Sequence, residues 1–131
     1  MQETMPQEIA VRYILPAIRK ELAKRLIEKH KLSQKETAKL LGITEAAVSQ
    51  YIHSKRAKEV VFSQNVVDEI SKSADLILKD KTRQKVMSET YRISNLTTVK
   101  QVLCDLHRQQ SKDLDSCNIC FDDNLLTIKA K

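Results

Sequence analysis

The only glycine of this 131-residue chain, Gly42, constrains the local fold more than any other residue. A helix that stops and turns sharply into a second helix favours a left-handed residue beyond its last turn, and glycine adopts that conformation without a penalty from a β carbon. Ser33 and Glu36 have the spacing of a capping box, which predicts the start of a short helix at Ser33. Thr44 is placed to cap a second helix. The sequence therefore predicts two short helices joined by a tight turn at Gly42.

Small and apolar side chains around Gly42 agree with such a pair of helices. Ala38 lies four residues before Gly42, where a small side chain lets two helices approach each other closely. Apolar contacts between the two helices and toward a preceding helix are expected from Leu40, Leu41, Ile43, Val48 and Ile52. An ordinary helical hairpin is the alternative interpretation, but the caps, the small residue, the glycine and the apolar positions together favour a helix-turn-helix.

The second predicted helix, from Glu45 to about His53, has an outward face that fits the major groove of DNA. On this face Gln50 can make a bidentate contact to adenine, and Glu45 can accept a hydrogen bond from cytosine N4. Positive side chains just beyond the helix are suited to contact the DNA backbone. The predicted DNA-binding residues are Gln34, Lys35, Thr44, Glu45, Ala46, Ser49, Gln50, His53, Lys55 and Arg56.

The composition of the chain predicts an all-α fold. The chain has only one glycine and two prolines, too few of the residues that form the tight turns between the strands of a β fold. Aromatic residues make up 4% of the chain and tryptophan is absent, so the core must be aliphatic. Before the turn, Ile14, Ile18, Leu22 and Leu26 recur at a spacing of four, which predicts a helix that reaches about His30.

Two prolines leave the start of this helix open. Pro6 can begin a separate short helix over residues 7–13, with Pro16 in the first turn of the helix that follows. The alternative is one long helix that is kinked at Pro16, because a proline inside a helix removes a backbone hydrogen bond.

Further helices are predicted after the turn, over about residues 63–79 and 82–93 and from about residue 98. On the second of them, Val86, Met87, Thr90 and Ile93 are expected to point inward. A single recognition helix reads few base pairs, so we expect these helices to form a homodimer that places two recognition helices ~34 Å apart. The alternative is that they only complete the core of a monomer.

These expectations divide the chain into three parts. Residues 1–60 form the DNA-binding domain, residues 61–103 form the helical extension for dimerisation or for the core, and residues 104–131 form a metal-binding segment with a tail. The positive charge is concentrated in the first part. Residues 1–60 hold 12 Lys and Arg against 7 Asp and Glu, whereas residues 61–131 hold 11 against 10. A positive surface on the helix-turn-helix half is what binding to double-stranded DNA requires.

Targeting signals are not evident in the sequence. No apolar run approaches the ~20 residues of a membrane span, and the N-terminus lacks the pattern of a signal peptide. We therefore expect a cytoplasmic protein that has no membrane partner. In that compartment its three cysteines are expected to be thiols or metal ligands rather than disulfides.

Several strings of residues together resemble a known family. They are LPAIR at 15–19, LSQ at 32–34, LLGIT at 40–44, AAVSQY at 46–51 and KR at 55–56. Over roughly residues 5–58 the chain resembles archaeal predicted transcriptional regulators with a Cro/repressor-like helix-turn-helix of the Xre type. This resemblance implies a DNA-binding regulator whose reading face is the one described above. It also implies cysteine and histidine residues near the C-terminus.

All three cysteines and one histidine lie in the pattern C-x2-H-x9-C-x2-C, formed by Cys104, His107, Cys117 and Cys120. Cys104 and His107 share one face if a helix continues to about Gln109, and Cys117 and Cys120 have the spacing of two ligands from one tight turn. Three thiolates and one imidazole suit a structural Zn²⁺. An iron–sulfur cluster is the first alternative, and the second is that no metal binds and the cysteines are ordinary side chains.

Two further functions remain open at this point. The cysteine cluster can be the functional centre of a regulator that senses metal or redox state, or the chain can be a protein-interaction adaptor that does not bind DNA. An enzyme is not expected, because no Ser/His/Asp constellation is visible and a single glycine cannot form a phosphate-binding loop. No small-molecule substrate is identified.

Overall fold

The computed structural model describes residues 5–53, 57, 60–110 and 119–121. The predicted all-α fold is confirmed, since every regular element in these ranges is a helix. No helix in them is long and apolar enough to cross a membrane. The elements are α1 (Pro6–Ile9), a π-helical segment (Ala10–Ile14), α2 (Leu15–Glu28), α3 (Gln34–Leu41), α4 (Glu45–Ile52), α5 (Gln64–Asp80), α6 (Arg83–Ser94), α7 (Thr97–Gln110) and a 3-10 turn (Ile119–Phe121).

The first two helices and the π-helical segment form one continuous helical run. The backbone is helical at both junctions, with φ −59° and ψ −46° at Ala10 and φ −78° and ψ −52° at Ile14. The π-helical segment directly precedes the turn that contains Pro16. Because Pro16 has no N–H and its ring crowds the carbonyl four residues earlier, a regular α-helical turn is disfavoured there. Of the two alternatives, the one long helix is observed, and its irregularity is the π-helical segment that precedes Pro16.

The core is built around α2. Its predicted apolar stripe is buried: Ile14, Ile18, Leu22 and Leu26 are each at most 1% exposed. The spacing of four places these side chains on one face of the helix. Helix α2 contacts α3, α4, α5 and α6. Burial of each such side chain stabilises the fold by roughly 1.5–3 kcal/mol before entropy is subtracted. Helices α3 and α4 therefore share one hydrophobic core with the later helices α5 and α6.

A buried polar network joins α5 to α6. The Ser73 hydroxyl donates to Glu89 Oε1 at 2.8 Å, and Arg92 donates to Glu89 Oε1 at 3.2 Å and to Ser73 Oγ at 2.8 Å. Arg92 also donates to Glu69 Oε2 at 2.8 Å. This hydrogen bond is the main cause of the lowered pKa of Glu69 and of the raised pKa of Arg92. The buried carboxylate of Glu89 thus has the partners that it needs.

The orientation of α6 differs from the prediction at one residue. Met87 was expected to point inward, but its side chain is 58% exposed, and Glu89 lies in the interior instead. The reason is helical geometry: Glu89 lies four residues before the buried Ile93, on the same face, whereas Met87 lies six residues before it. The polar network lets a charged side chain occupy this inner position.

The last long helix, α7, packs over α1 and the π-helical segment. It also contacts α6. Its Val99 is fully buried, and Val102, Leu103 and Leu106 pack against the core. These four apolar side chains therefore form the packing face of α7.

Candidate nucleic-acid interface

Helix α3 begins as the capping box predicts. The N–H of Glu36 donates to Ser33 Oγ at 3.0 Å, and the N–H of Ser33 donates to Glu36 Oε1 at 3.2 Å. These two hydrogen bonds provide partners for backbone N–H groups that have none within the first turn of the helix. The hydrogen bond from the Ser33 backbone is also the main reason why the pKa of Glu36 is lowered. The start of α3 is thus defined by two residues three positions apart.

Helix α3 ends at Gly42 in the left-handed conformation, with φ 70° and ψ 33°. The N–H groups of Gly42 and Ile43 both donate to the carbonyl of Ala38, and the second of these bonds measures 3.0 Å. A β carbon at Gly42 would meet no atom within 4 Å. The turn therefore requires glycine for its backbone conformation and not for lack of space.

Helix α4 begins at the second predicted cap, where the N–H of Ala47 donates to Thr44 Oγ1 at 3.0 Å. Its inner face consists of Ala47, Val48 and Tyr51, which are all buried. Helix α4 contacts both α2 and α3. Because the inner face is anchored in the core, the direction of the outer face is determined by the fold.

The outer face of α4 carries the residues that were predicted to read DNA. Glu45, Ala46 and His53 are exposed, and Ser49 and Gln50 are half-buried. The predicted backbone contacts on α3 lie at its first turn, where Gln34 is half-buried and Lys35 is exposed, and the capping residue Thr44 is exposed as well. Lys55 and Arg56 lie outside the described residues. The structure thus collects the described candidates on one accessible helix face and at the adjoining start of α3.

The predicted metal ligands are described in part. Cys104 and His107 lie one turn apart on α7, as expected, and both are buried. Cys120 is half-buried in the 3-10 turn, and Cys117 lies outside the described residues. Among the described residues no three His, Cys, Asp or Glu side chains are grouped so that they can hold a metal ion. In the same part of the chain His107 Nε2 is buried and has no hydrogen-bond partner. A buried imidazole nitrogen of this kind is suited to bind a metal ion.

Comparison with known proteins concerns the part of the chain that holds α3 and α4. No curated protein and no solved structure matches the chain. Residues 20–60 match the family model HTH_3, which is described as Helix-turn-helix. The matched range includes most of α2, both capped helices and the turn at Gly42. This match supports a DNA-binding transcription regulator with a helix-turn-helix of the Cro/C1, Xre-like type.

Proposed function

We propose that the chain is a sequence-specific transcription regulator that inserts α4 into the major groove of its operator. One observation carries this proposal: the buried inner face of α4 and the cap at Thr44 hold the outer face of the helix, which includes Gln50, toward solvent. The family match over residues 20–60 supports the same function. A short helix that is anchored on one side and polar on the other is the usual reading element of a helix-turn-helix.

The chemistry of the outer face suggests which bases it reads. The Gln50 side chain can donate from its amide NH2 group to adenine N7 and accept from adenine N6 through its amide oxygen in the major groove. The Glu45 carboxylate only accepts hydrogen bonds, so it suits cytosine N4. Ser49 and His53 contribute contacts to bases or phosphates. Gln34, Lys35, Lys55 and Arg56 contact the backbone and fix the register of α4 along the groove.

A homodimer is part of the proposal. One helix of eight residues reads too few base pairs to select a single operator in a genome, and a two-fold dimer doubles the length of the site. Helices α5 to α7 extend beyond the matched range and are available for such contacts. The two copies of α4 in the dimer then enter the major groove at two successive turns on one face of the duplex.

Replacing Gln50 by alanine is expected to weaken binding to the preferred operator by ~1–3 kcal/mol and to relax the preference at one base pair in each half-site. The measurement is selection of sites from random duplexes, followed by titration of the selected sites at one salt concentration. Gln109→Ala is the matched control, since Gln109 is an exposed glutamine on α7. If Gln50→Ala selects the same sites as the unaltered protein, Gln50 does not belong to the reading face.

We also propose that Cys104, His107, Cys117 and Cys120 bind a structural zinc ion. Support comes from the buried Nε2 of His107, which has no partner among the described residues, and from Cys104 one turn earlier on the same helix. When bound, Zn²⁺ holds four such ligands in a closed tetrahedral site. The residues then tie the end of α7 to the segment around Cys120. An iron–sulfur cluster on the same ligands is the alternative, which makes the regulator a sensor of redox state.

Protein purified without air is expected to be colourless and to contain about one zinc ion per chain. The measurement is metal analysis together with the visible absorption spectrum. His107→Ala is expected to lose the metal, whereas the control His30→Ala retains it, because His30 pairs with Asp75 on the surface. Brown protein identifies an iron–sulfur cluster instead. Protein that binds neither metal contradicts the ligand assignment and leaves the DNA-binding proposal unaffected.

A further inference from the structure

A group of exposed cations surrounds the turn between α5 and α6, outside the predicted DNA-binding residues. Lys79, Lys81 and Arg83 lie within five consecutive positions, and all three side chains are exposed. Within the described part of the chain, none of the three forms an ion pair with a carboxylate. Residues 61–131 carry almost no net charge as a whole, so this turn concentrates positive charge locally.

The fold brings this turn next to the start of α3. On α5, Asp75 binds Lys29 Nζ at 3.2 Å and His30 Nε2 at 2.7 Å, at the end of α2. The last turns of α5 therefore lie beside the connection that leads into α3. Helix α3 also contacts α6 directly. The turn that joins α5 to α6 is thus a neighbour of the first turn of α3.

Electrostatics agrees with this placement. Hydrogen bonds from Ser33 are the main cause of the lowered pKa of Glu36, and the ammonium group of Lys81 lowers that pKa further. Glu36 is the third residue of α3, so the charge of Lys81 acts on the first turn of that helix. Lys31 is also exposed and lies two residues before Ser33, the cap of α3. Cations from two distant parts of the sequence therefore lie near the start of α3.

Two of these lysines occupy unusual backbone positions. Lys31 has φ 60° and Lys81 has φ 57°, in the left-handed region that favours glycine or asparagine. A lysine at such a position has a backbone cost that glycine would avoid. Ala57 adopts the same conformation, with φ 59°, without a charged side chain, and Lys81 adopts it where α5 ends, so this backbone geometry belongs to the turns themselves.

We propose that Lys31, Lys79, Lys81 and Arg83, named here the flanking cationic surface, bind backbone phosphates of the duplex beside the base pairs that α4 reads. This inference rests on the proposed function and extends the DNA contact from the helix-turn-helix to the turn between α5 and α6. In a helix-turn-helix complex the helix before the recognition helix crosses the DNA backbone, so residues next to the first turn of α3 lie over the flanking phosphates. Charge complementarity identifies the DNA backbone as the partner.

The test compares two full-length double variants that remove the same charge. One is Lys81→Asn with Arg83→Gln, in which asparagine suits the left-handed position. The control is Lys72→Gln with Lys100→Gln, which removes two cations outside the surface. We expect the first variant to bind every duplex sequence more weakly than the control and to reduce the slope of log affinity against log salt by about 1.8 per protomer, which is two phosphate contacts.

The outcomes separate this inference from the proposed function. If both double variants show the same affinity and the same salt slope, the flanking cationic surface does not contact DNA, although the unaltered protein still binds. If the unaltered protein binds no duplex at any salt concentration, the proposed function and this inference both fail. Thermal unfolding of each variant verifies that the comparison is made between folded proteins. If the first variant is unfolded, Arg83→Gln alone replaces it, and the expected change in the slope of log affinity against log salt is then half as large.

Discussion

Replacing Leu22 by alanine is expected to lower the free energy of unfolding by about 2–5 kcal/mol. Leu22 is 1% exposed at the centre of α2, the helix that contacts α3, α4, α5 and α6. Truncation removes apolar contacts and leaves a cavity that helices on several sides cannot all close at once. Because small domains have only about 5–15 kcal/mol of net stability, this single change removes a large part of it.

Urea unfolding of the two leucine variants checks this expectation. Leu76→Ala is the matched control, since Leu76 lies on α5 and is 40% exposed. We expect the control to lose clearly less stability than Leu22→Ala, because little of the removed side chain is enclosed. Equal losses in the two variants would show that α2 is not the centre of the core. Ile18→Val, with an expected loss of about 0.5–1.5 kcal/mol, serves if Leu22→Ala does not fold.

Affinity for double-stranded DNA is expected to fall about 10⁴-fold when the salt concentration rises from about 50 to 200 mM. If a dimer neutralises ~8 phosphates, log affinity falls with log salt at a slope of about −7. The positive residues of the N-terminal half and the exposed cations near α3 supply the charge for this effect. Release of counterions from the duplex, and not a direct effect on base contacts, drives the change.

Fluorescence anisotropy with a labelled duplex at a series of salt concentrations measures this slope. Gln50→Ala is a useful comparison, because it is expected to lower the affinity at each salt concentration and to leave the slope nearly unchanged. A slope close to zero, or no binding to any duplex, contradicts DNA binding. Such a result favours the adaptor hypothesis, in which the two capped helices serve only as a scaffold.

Local rules were sufficient to predict the geometry around Gly42. Ser33 caps α3 and Thr44 caps α4 through bonds to backbone groups three residues away, so both caps are visible as short spacings in the sequence. The left-handed conformation at Gly42 follows from the same local logic. The buried stripe on α2 depends on helical periodicity alone, and its spacing of four was enough to identify it.

Features that depend on distant residues were not predicted. Glu89 is buried on α6 because Ser73, sixteen residues earlier, lies opposite to it, and no spacing in the sequence reveals that pairing. The electrostatic effect of Lys81 on Glu36 likewise exists only after α6 packs beside α3. A signal was present in the dense positive charge of residues 79–85, but only the fold indicates its neighbour.

The network of Ser73, Glu89 and Arg92 has a consequence for the alignment of α5 and α6. Apolar contacts between two helices are not directional, so a slip by one helical turn, about 5.4 Å, would exchange one set of aliphatic partners for another. The same slip would separate a buried carboxylate from its hydroxyl and guanidinium donors, which is costly in the interior. Hydrogen bonds therefore select one alignment of α5 and α6 among several that packing alone would accept.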